Sequence, residues 1–163
     1  MVRVLMVCTG NTCRSPMAAA LLQEKIRQAG AESLVAVASA GLMAAQGEPM
    51  SLQAQAILKK KGLPSQGHRA ELLTREQLAS YDLILTMTTQ HKKLLLSVPE
   101  AKAARIFTLR EYAGESGDIS DPYGGNESVY AACALELELL LPKVWEKIKN
   151  LAGKKQVLAK KDE

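Results

Sequence analysis

The valine-rich run Val2-Arg3-Val4-Leu5-Met6-Val7, followed after a short polar stretch by Ser15-Pro16, constrains the fold more than any other feature. A nearly continuous apolar run of this length is the pattern of a parallel strand buried on both faces. Residues 9–15 are polar and too few to form an element of their own. Ser15 reads as a helix cap, with Pro16 at the first helical position. Met17, Leu21, Leu22 and Ile26 then recur at helical spacing, and Gly30 ends the pattern. The chain therefore opens with a strand that feeds a helix through a tight polar loop.

The same alternation continues. Leu34 to Ala40 predicts a second strand, closed by Gly41. Leu52 to Leu58 predicts a helix that stops near Gly62. Thr74 opens a short helix, with Gln77 three residues on as a partial capping box. Leu83 to Met87 is a third strand, Gln90 to Leu96 a helix, and Ile106 to Leu109 a fourth strand. Residues 111–125, rich in Gly and Asp, read as a loop. A final helix carries Val129, Cys133, Leu137, Leu140, Val144 and Ile148 on one stripe, with Pro142 expected to kink or split it. Strands alternating with helices predict an α/β fold: a single three-layer domain, its four-stranded parallel sheet covered by helices on both faces. The 163 residues suit one domain. It is expected over 1–151, with 152–163 a basic C-terminal tail. Ligands of such sheets bind beyond the carboxyl ends of the strands, so the loop after the first strand is the first candidate site.

Several functions are disfavoured. Much of the excess in the net charge of +4 lies in the tail at Lys154, Lys155, Lys160 and Lys161, and one Phe and one Trp make no stacking platform. Nucleic acid is therefore not an expected partner. No apolar run is long enough to cross a membrane, and the N-terminus lacks a cleavage site, so a cytoplasmic protein is expected. Three cysteines, Cys8, Cys13 and Cys133, do not suggest a disulfide framework. His68 and His91 have no paired ligand spacing, so no metal is expected. A monomer that needs no cofactor is expected.

The loop Cys8-Thr9-Gly10-Asn11-Thr12-Cys13-Arg14-Ser15 carries chemistry. Successive backbone N–H groups in a tight loop converge into an anion nest. Gly10 permits an unusual backbone angle, and Asn11 tolerates one. The helix after the loop turns its positive end toward a bound anion. Arg14 can clasp two phosphate oxygens with its planar fork. Positive surroundings favour the thiolate, the form of Cys8 that covalent phosphoryl transfer needs. Ser15 can donate a hydrogen bond to that sulfur. The loop lacks the lysine and glycine spacing of a nucleotide-binding loop. Cys133 falls on the apolar stripe of the last helix and reads as core.

The stretch Val7-Cys8-Thr9-Gly10-Asn11-Thr12-Cys13-Arg14-Ser15-Pro16-Met17 resembles the active-site loop of the low-molecular-weight protein tyrosine phosphatases. The resemblance continues at Ser39-Ala40-Gly41, at Asp82 to Met87 and at Asp121-Pro122-Tyr123, and covers the chain to about Leu151. It implies that Cys8 attacks phosphorus and forms a phosphocysteine. It implies that Arg14 binds the phosphoryl oxygens, and that Asp121 protonates the leaving group and then activates water. Asp121 precedes Pro122 in a Gly-rich loop, which keeps it out of a helix. Spacing alone does not separate it from Asp118; the resemblance favours Asp121. Thr9, Gly10, Asn11, Thr12, Cys13 and Ser15 then belong to the phosphate-binding loop, and Tyr123 to the substrate wall. Cys13 could bridge Cys8 in a reversible disulfide or simply pack the loop, and both readings stand.

Two details depart from the tyrosine-directed pattern. Thr12 stands where those members usually hold isoleucine, and Gly124 stands where they often hold a second aromatic. Thr12 together with Asp121-Pro122-Tyr123-Gly124-Gly125 resembles the bacterial protein arginine phosphatase branch, as does Gln90-His91-Lys92 to a lesser extent. The resemblance implies hydrolysis of phosphoarginine on phosphorylated protein substrates, with tyrosine phosphatase activity as the alternative. The fold is also similar to thiol-dependent arsenate reductases, but that chemistry needs a relay of cysteines, and Cys133 stands alone. A non-catalytic phosphoprotein-binding module would not need Cys8, Arg14 and Asp121 together.

Overall fold

The computed structural model describes residues 1–102 and 105–161. Strand β1 (Val2–Cys8) lies at the middle of the sheet because its sequence can be buried on both sides. Six of its seven residues are buried, the exposed one being Arg3. Helix α1 (Arg14–Gln28) returns the chain to β2 (Val35–Gly41), which pairs with β1 in parallel from Val2↔Val35 to Cys8↔Gly41. Helices α2 (Leu52–Lys60) and α3 (Arg75–Ser80) lead to β3 (Leu83–Thr86), parallel to β1 on its other side. Helix α4 (Thr89–Leu96) and β4 (Ile106–Thr108) complete a sheet of order β2-β1-β3-β4. A short helix α5 (Leu109–Tyr112) and the long α6 (Glu127–Ala159) close the chain.

Side chains along β1 alternate between two cores. Val2, Val4, Met6 and Cys8 join Met17 and Leu22 of α1, Leu58 of α2, Leu109 of α5, and Leu141 and Val144 of α6. Leu5 and Val7 join Leu78 of α3 and Leu95 of α4 on the opposite face. The expected α/β architecture, a four-stranded parallel sheet between two helical layers, is the one observed. Each such side chain fully buried contributes about 1.5–3 kcal/mol of transfer free energy. Because the connection after β1 runs outward to β2 and the one after β3 runs the other way to β4, a crevice opens at the carboxyl ends of these two neighbouring strands.

The structure corrects several local expectations. Helix α1 begins at Arg14 with Cys13 at its cap position, and no side chain caps it. Ser15 is therefore inside the helix and Pro16 at its third position, where a missing N–H still costs no intrahelical bond. Leu109 starts α5 rather than ending β4, because Thr108 and Glu111 form a capping box. The 111–125 loop is thus shortened by the last turn of α5. Pro142 does not split α6, which runs as one helix of 33 residues. The proline faces solvent, where water can serve the carbonyl it leaves unpaired, while Leu141, Val144, Trp145 and Ile148 hold the helix to the core. Val129, expected on the buried stripe, is 44% exposed. Residues 152–159 of the expected tail continue α6, where Ala152 is buried and Lys155 Nζ pairs with Asp82 at 2.7 Å.

Candidate active site

Cys8 ends β1, and the chain turns through residues 9–13 into α1. The turn depends on Asn11, the one described non-glycine residue with positive φ, at 56°. Of the two positions that the sequence offers for an unusual angle, Gly10 and Asn11, it falls on Asn11. Asparagine tolerates this region because its side chain can bond locally, and here it does. Asn11 Oδ1 accepts the Glu71 N–H at 3.0 Å, which fixes the orientation of the amide. Its Nδ2 then donates to Ser15 Oγ at 2.9 Å and to Ser39 Oγ at 2.8 Å. The Asn11 carbonyl is met by His68 Nε2 at 2.7 Å.

This network decides what Ser15 does. Its oxygen is occupied as an acceptor by Asn11, so its own hydrogen is directed to Cys8 Sγ, 2.9 Å away. The Asn11 backbone N–H also points at Cys8 Sγ, at 3.3 Å. Two donors thus converge on a sulfur that is 3% exposed. Gly41 makes the loop's position possible: a Cβ there would lie 2.6 Å from the Thr9 carbonyl and 3.0 Å from the Asn11 nitrogen.

Arg14 is buried at the first position of α1. Nη1 donates to the Ile119 carbonyl at 3.0 Å, and Nη2 lies 3.3 Å from Asp121 Oδ2. Asp121 in turn accepts the Tyr123 N–H at 3.1 Å, a local turn set by Pro122. Asp118, the other aspartate of this loop, binds elsewhere, taking the Thr89 N–H at 2.8 Å and hydroxyl at 3.0 Å at the start of α4. Geometry thus separates two aspartates that spacing did not.

A cleft of about 300 Å³ opens over the loop. Cys8, Thr9, Gly10, Thr12, Cys13 and Arg14 line it, with Asp121, Tyr123 and Glu48. Of the residues expected there, Asn11 and Ser15 stay behind the wall, fully buried. Tyr123 stands at the rim, 80% exposed. Glu48 was not anticipated: it is 40 residues from Cys8 in sequence, and no local pattern marks it. His91, which enters the sequence reading only within Gln90-His91-Lys92 and as a histidine without a paired metal-ligand spacing, meets the loop as well. Its Nε2 meets Thr9 Oγ1 at 2.8 Å, while Nδ1 is buried without a partner among the described residues. Burial, helped by the nearby Arg14 charge and opposed by Asp118 and Asp121, holds His91 below its ordinary pKa. It is therefore a neutral ring at pH 7.

The two remaining cysteines differ from Cys8 in their surroundings. All three thiols are free. Cys13 Sγ lies 3.1 Å from the Tyr130 hydroxyl and 3.5 Å from Ser51 Oγ. Burial, reinforced by Cys13, pushes Tyr130 up to about 12, so it stays a neutral phenol. Burial also pushes Cys133 up to about 12, which leaves it a protonated core thiol and a poor relay nucleophile. Among the described residues, no group of three His, Cys, Asp or Glu side chains could hold a metal ion, and no helix is long and apolar enough to cross a membrane.

Comparison with known proteins gives the same site a family. Residues 3–156 match the family described as low molecular weight phosphotyrosine protein phosphatase. A protein-arginine-phosphatase of Geobacillus stearothermophilus is 45% identical over 150 residues, covering 91% of this chain and 97% of that protein. A solved low molecular weight protein tyrosine phosphatase from T. tengcongensis is 43% identical with a TM-score of 0.86, covering 90% of this chain and 99% of that one. A solved arginine phosphatase, 38% identical with a TM-score of 0.84 over 91% of this chain and 96% of its own, is a Cys-to-Ser mutant with a phosphorylated active-site serine. With that match over nearly its whole length, and with a buried cysteine and arginine at the strand-to-helix turn, the chain belongs to the low molecular weight phosphotyrosine protein phosphatase family and is a cysteine-dependent phosphatase.

Proposed function

We propose that this phosphatase hydrolyses phosphoarginine on proteins, with Cys8 as nucleophile. The observation that carries the reading is Thr12 on the cleft wall, a small hydroxyl residue where a ring-gripping aliphatic would narrow the cleft. Gly124 supports it. Its φ is 78°, so a second aromatic at that position would be strained, and Tyr123 remains the rim aromatic. The arginine phosphatase relatives carry the same assignment by similarity.

In the proposed cycle the phosphoryl group sits in the loop, held by its N–H groups, the positive end of α1 and the Arg14 fork. Cys8 Sγ attacks phosphorus, and a P–S bond forms as the P–N bond breaks. Asp121, in its acid form, gives a proton to the departing guanidine nitrogen. Water then attacks the phosphocysteine, the Asp121 carboxylate takes its proton, and inorganic phosphate leaves with Cys8 restored. Ser15 and the Asn11 N–H stabilise the sulfur anion at both ends of the cycle. Thr9, Gly10, Thr12 and Cys13 shape the cleft, and Tyr123 packs against the planar guanidinium, a contact worth about 0.5–2 kcal/mol. The cleft is complete within one chain, which supports action as a monomer. The three free thiols support a reducing compartment, the cytoplasm.

A panel of phosphoarginine, phosphotyrosine and phosphoserine peptides tests the reading. Wild type should turn over phosphoarginine best, and Thr12→Ile should shift preference toward phosphotyrosine. The tyrosine reading, favoured by the T. tengcongensis neighbour, wins if wild type handles phosphotyrosine peptides equally well or better.

A further inference from the structure

Glu48 brings a carboxylate to the cleft from a direction that the reaction cycle leaves unused. Asp121 enters from the β3 side, where the neighbouring Ile119 N–H is held by the Met87 carbonyl at 2.9 Å. Glu48 belongs to the connection between β2 and α2. The sheet order β2-β1-β3-β4 puts that connection on the other flank of the Cys8 loop. Both nevertheless line the same cleft.

The Glu48 backbone is fixed. Its carbonyl accepts the Ala70 N–H at 2.7 Å, and its own N–H donates to Ala45 at 3.1 Å. Gly47 N–H bonds the Ala70 carbonyl at 2.8 Å, and Pro49 forms an antiparallel bridge with Arg69. Pro49 also confines Glu48 to extended backbone. Two residues on, Ser51 N–H donates to the Thr12 carbonyl at 3.0 Å, tying this segment to the phosphate loop. The side chain is exposed, and among the described residues it joins none of the ion pairs. A carboxylate on a fixed backbone, unpaired and beside a phosphate-binding loop, works against the binding of any phosphate ester whose remainder is apolar. It becomes favourable when the remainder of the substrate is a cation.

We propose that Glu48 is a specificity-determining residue that accepts hydrogen bonds from the guanidinium of the substrate, across the cleft from Asp121. The inference rests on the phosphoarginine reading. Phosphorylation of one terminal nitrogen leaves all but one of the guanidinium N–H donors in place. Asp121 engages the nitrogen that bears phosphorus, and one carboxylate pairs with one edge of the planar fork. The far edge needs a second acceptor, and Glu48 supplies a charged one.

The test compares wild type, Glu48→Gln and Glu48→Asp on a phosphoarginine peptide and on p-nitrophenyl phosphate. Replacing a charged acceptor by a neutral one should raise KM for the phosphoarginine peptide about fivefold to tenfold in Glu48→Gln. KM for p-nitrophenyl phosphate should move the other way, falling about twofold, because a like charge near the dianion is gone. Glu48→Asp should recover part of the phosphoarginine affinity. Equal movement of both substrates, or no movement of either, overturns the role of Glu48 while leaving the phosphoarginine reading intact. Wild-type preference for phosphotyrosine peptides overturns that reading and the inference with it.

Discussion

Arg14 Nη2 and Asp121 Oδ2 lie 3.3 Å apart, although the first comes from the start of α1 and the second from the segment before α6. The arginine side chain is 6% exposed and the aspartate 53%. The contact therefore joins a fixed buried cation to an acid that reaches solvent. A phosphoryl group held by Arg14 would lie within reach of that acid, as protonation of a leaving group requires.

Asp121→Asn should keep this position and remove the acid. The expected loss in kcat/KM on phosphoarginine peptides is about 10²–10⁴-fold, the usual contribution of a positioned acid. In kcat/KM, aryl phosphates with stable leaving groups should suffer much less. Plotting kcat/KM, which ends at leaving-group departure, against leaving-group pKa checks this, and parallel lines for variant and wild type would reject the acid role. Asp118→Asn, which alters the start of α4, should give no comparable steepening.

Ser15→Ala removes the donor aimed at Cys8 without touching the cleft wall. The expected loss is about tenfold or more in kcat/KM, since a hydrogen bond to a charged group contributes about 1.5–3 kcal/mol. Cys8→Ser should abolish turnover outright. Steady-state rates, with circular dichroism to verify folding, check both. A Ser15→Ala enzyme at wild-type rate would mean that the 2.9 Å contact has no part in the chemistry.

Much of this site was legible because it is local. Cys8 and Arg14 fall on one short turn between an apolar strand and a helix, and the pattern of β1 announced its burial on both faces. What escaped notice depends on distant chain. The backbone of Asn11 holds its positive φ while Glu71 and Ser39, far away in sequence, satisfy its side-chain amide. Ser15 lost its expected capping role because Cys8 and Asn11 claim its hydroxyl. Glu48 and His91 reach the loop only through the sheet order. Pro142 does not split α6 because its apolar neighbours, packed against α1 and β1, outweigh a local cost of about 3 kcal/mol.

Gly41→Ala should cripple the loop from behind. The added Cβ would meet the Thr9 carbonyl at 2.6 Å, Ala44 Cβ at 2.9 Å and the Asn11 nitrogen at 3.0 Å. Two of those atoms are backbone of the phosphate loop and cannot swing aside. The expected destabilisation is about 1–3 kcal/mol, with a fall in kcat as the loop shifts. Urea denaturation and kinetics measure the two effects; wild-type values for both would show that the loop gives way freely.

His91 should make stability fall with pH before the carboxylates do. Folded His91 is held below its ordinary value of 6.5, chiefly by burial, and among the described residues no acceptor faces its Nδ1. Above 6.5 the ring is neutral in folded and unfolded chains alike, so pH has no purchase on it. As pH falls through 6.5 the unfolded chain gains a proton that the folded chain refuses, and stability is lost until the lowered folded value is reached. The depressed carboxylates of Asp82 and Glu111 act in the same direction, but only as pH approaches their ordinary values of 3.8 and 4.5. As pH falls below about 6.5, and before the carboxylates titrate, thermal unfolding should therefore show a falling midpoint that His91→Asn flattens. An unchanged slope in that variant would move the titration to another group.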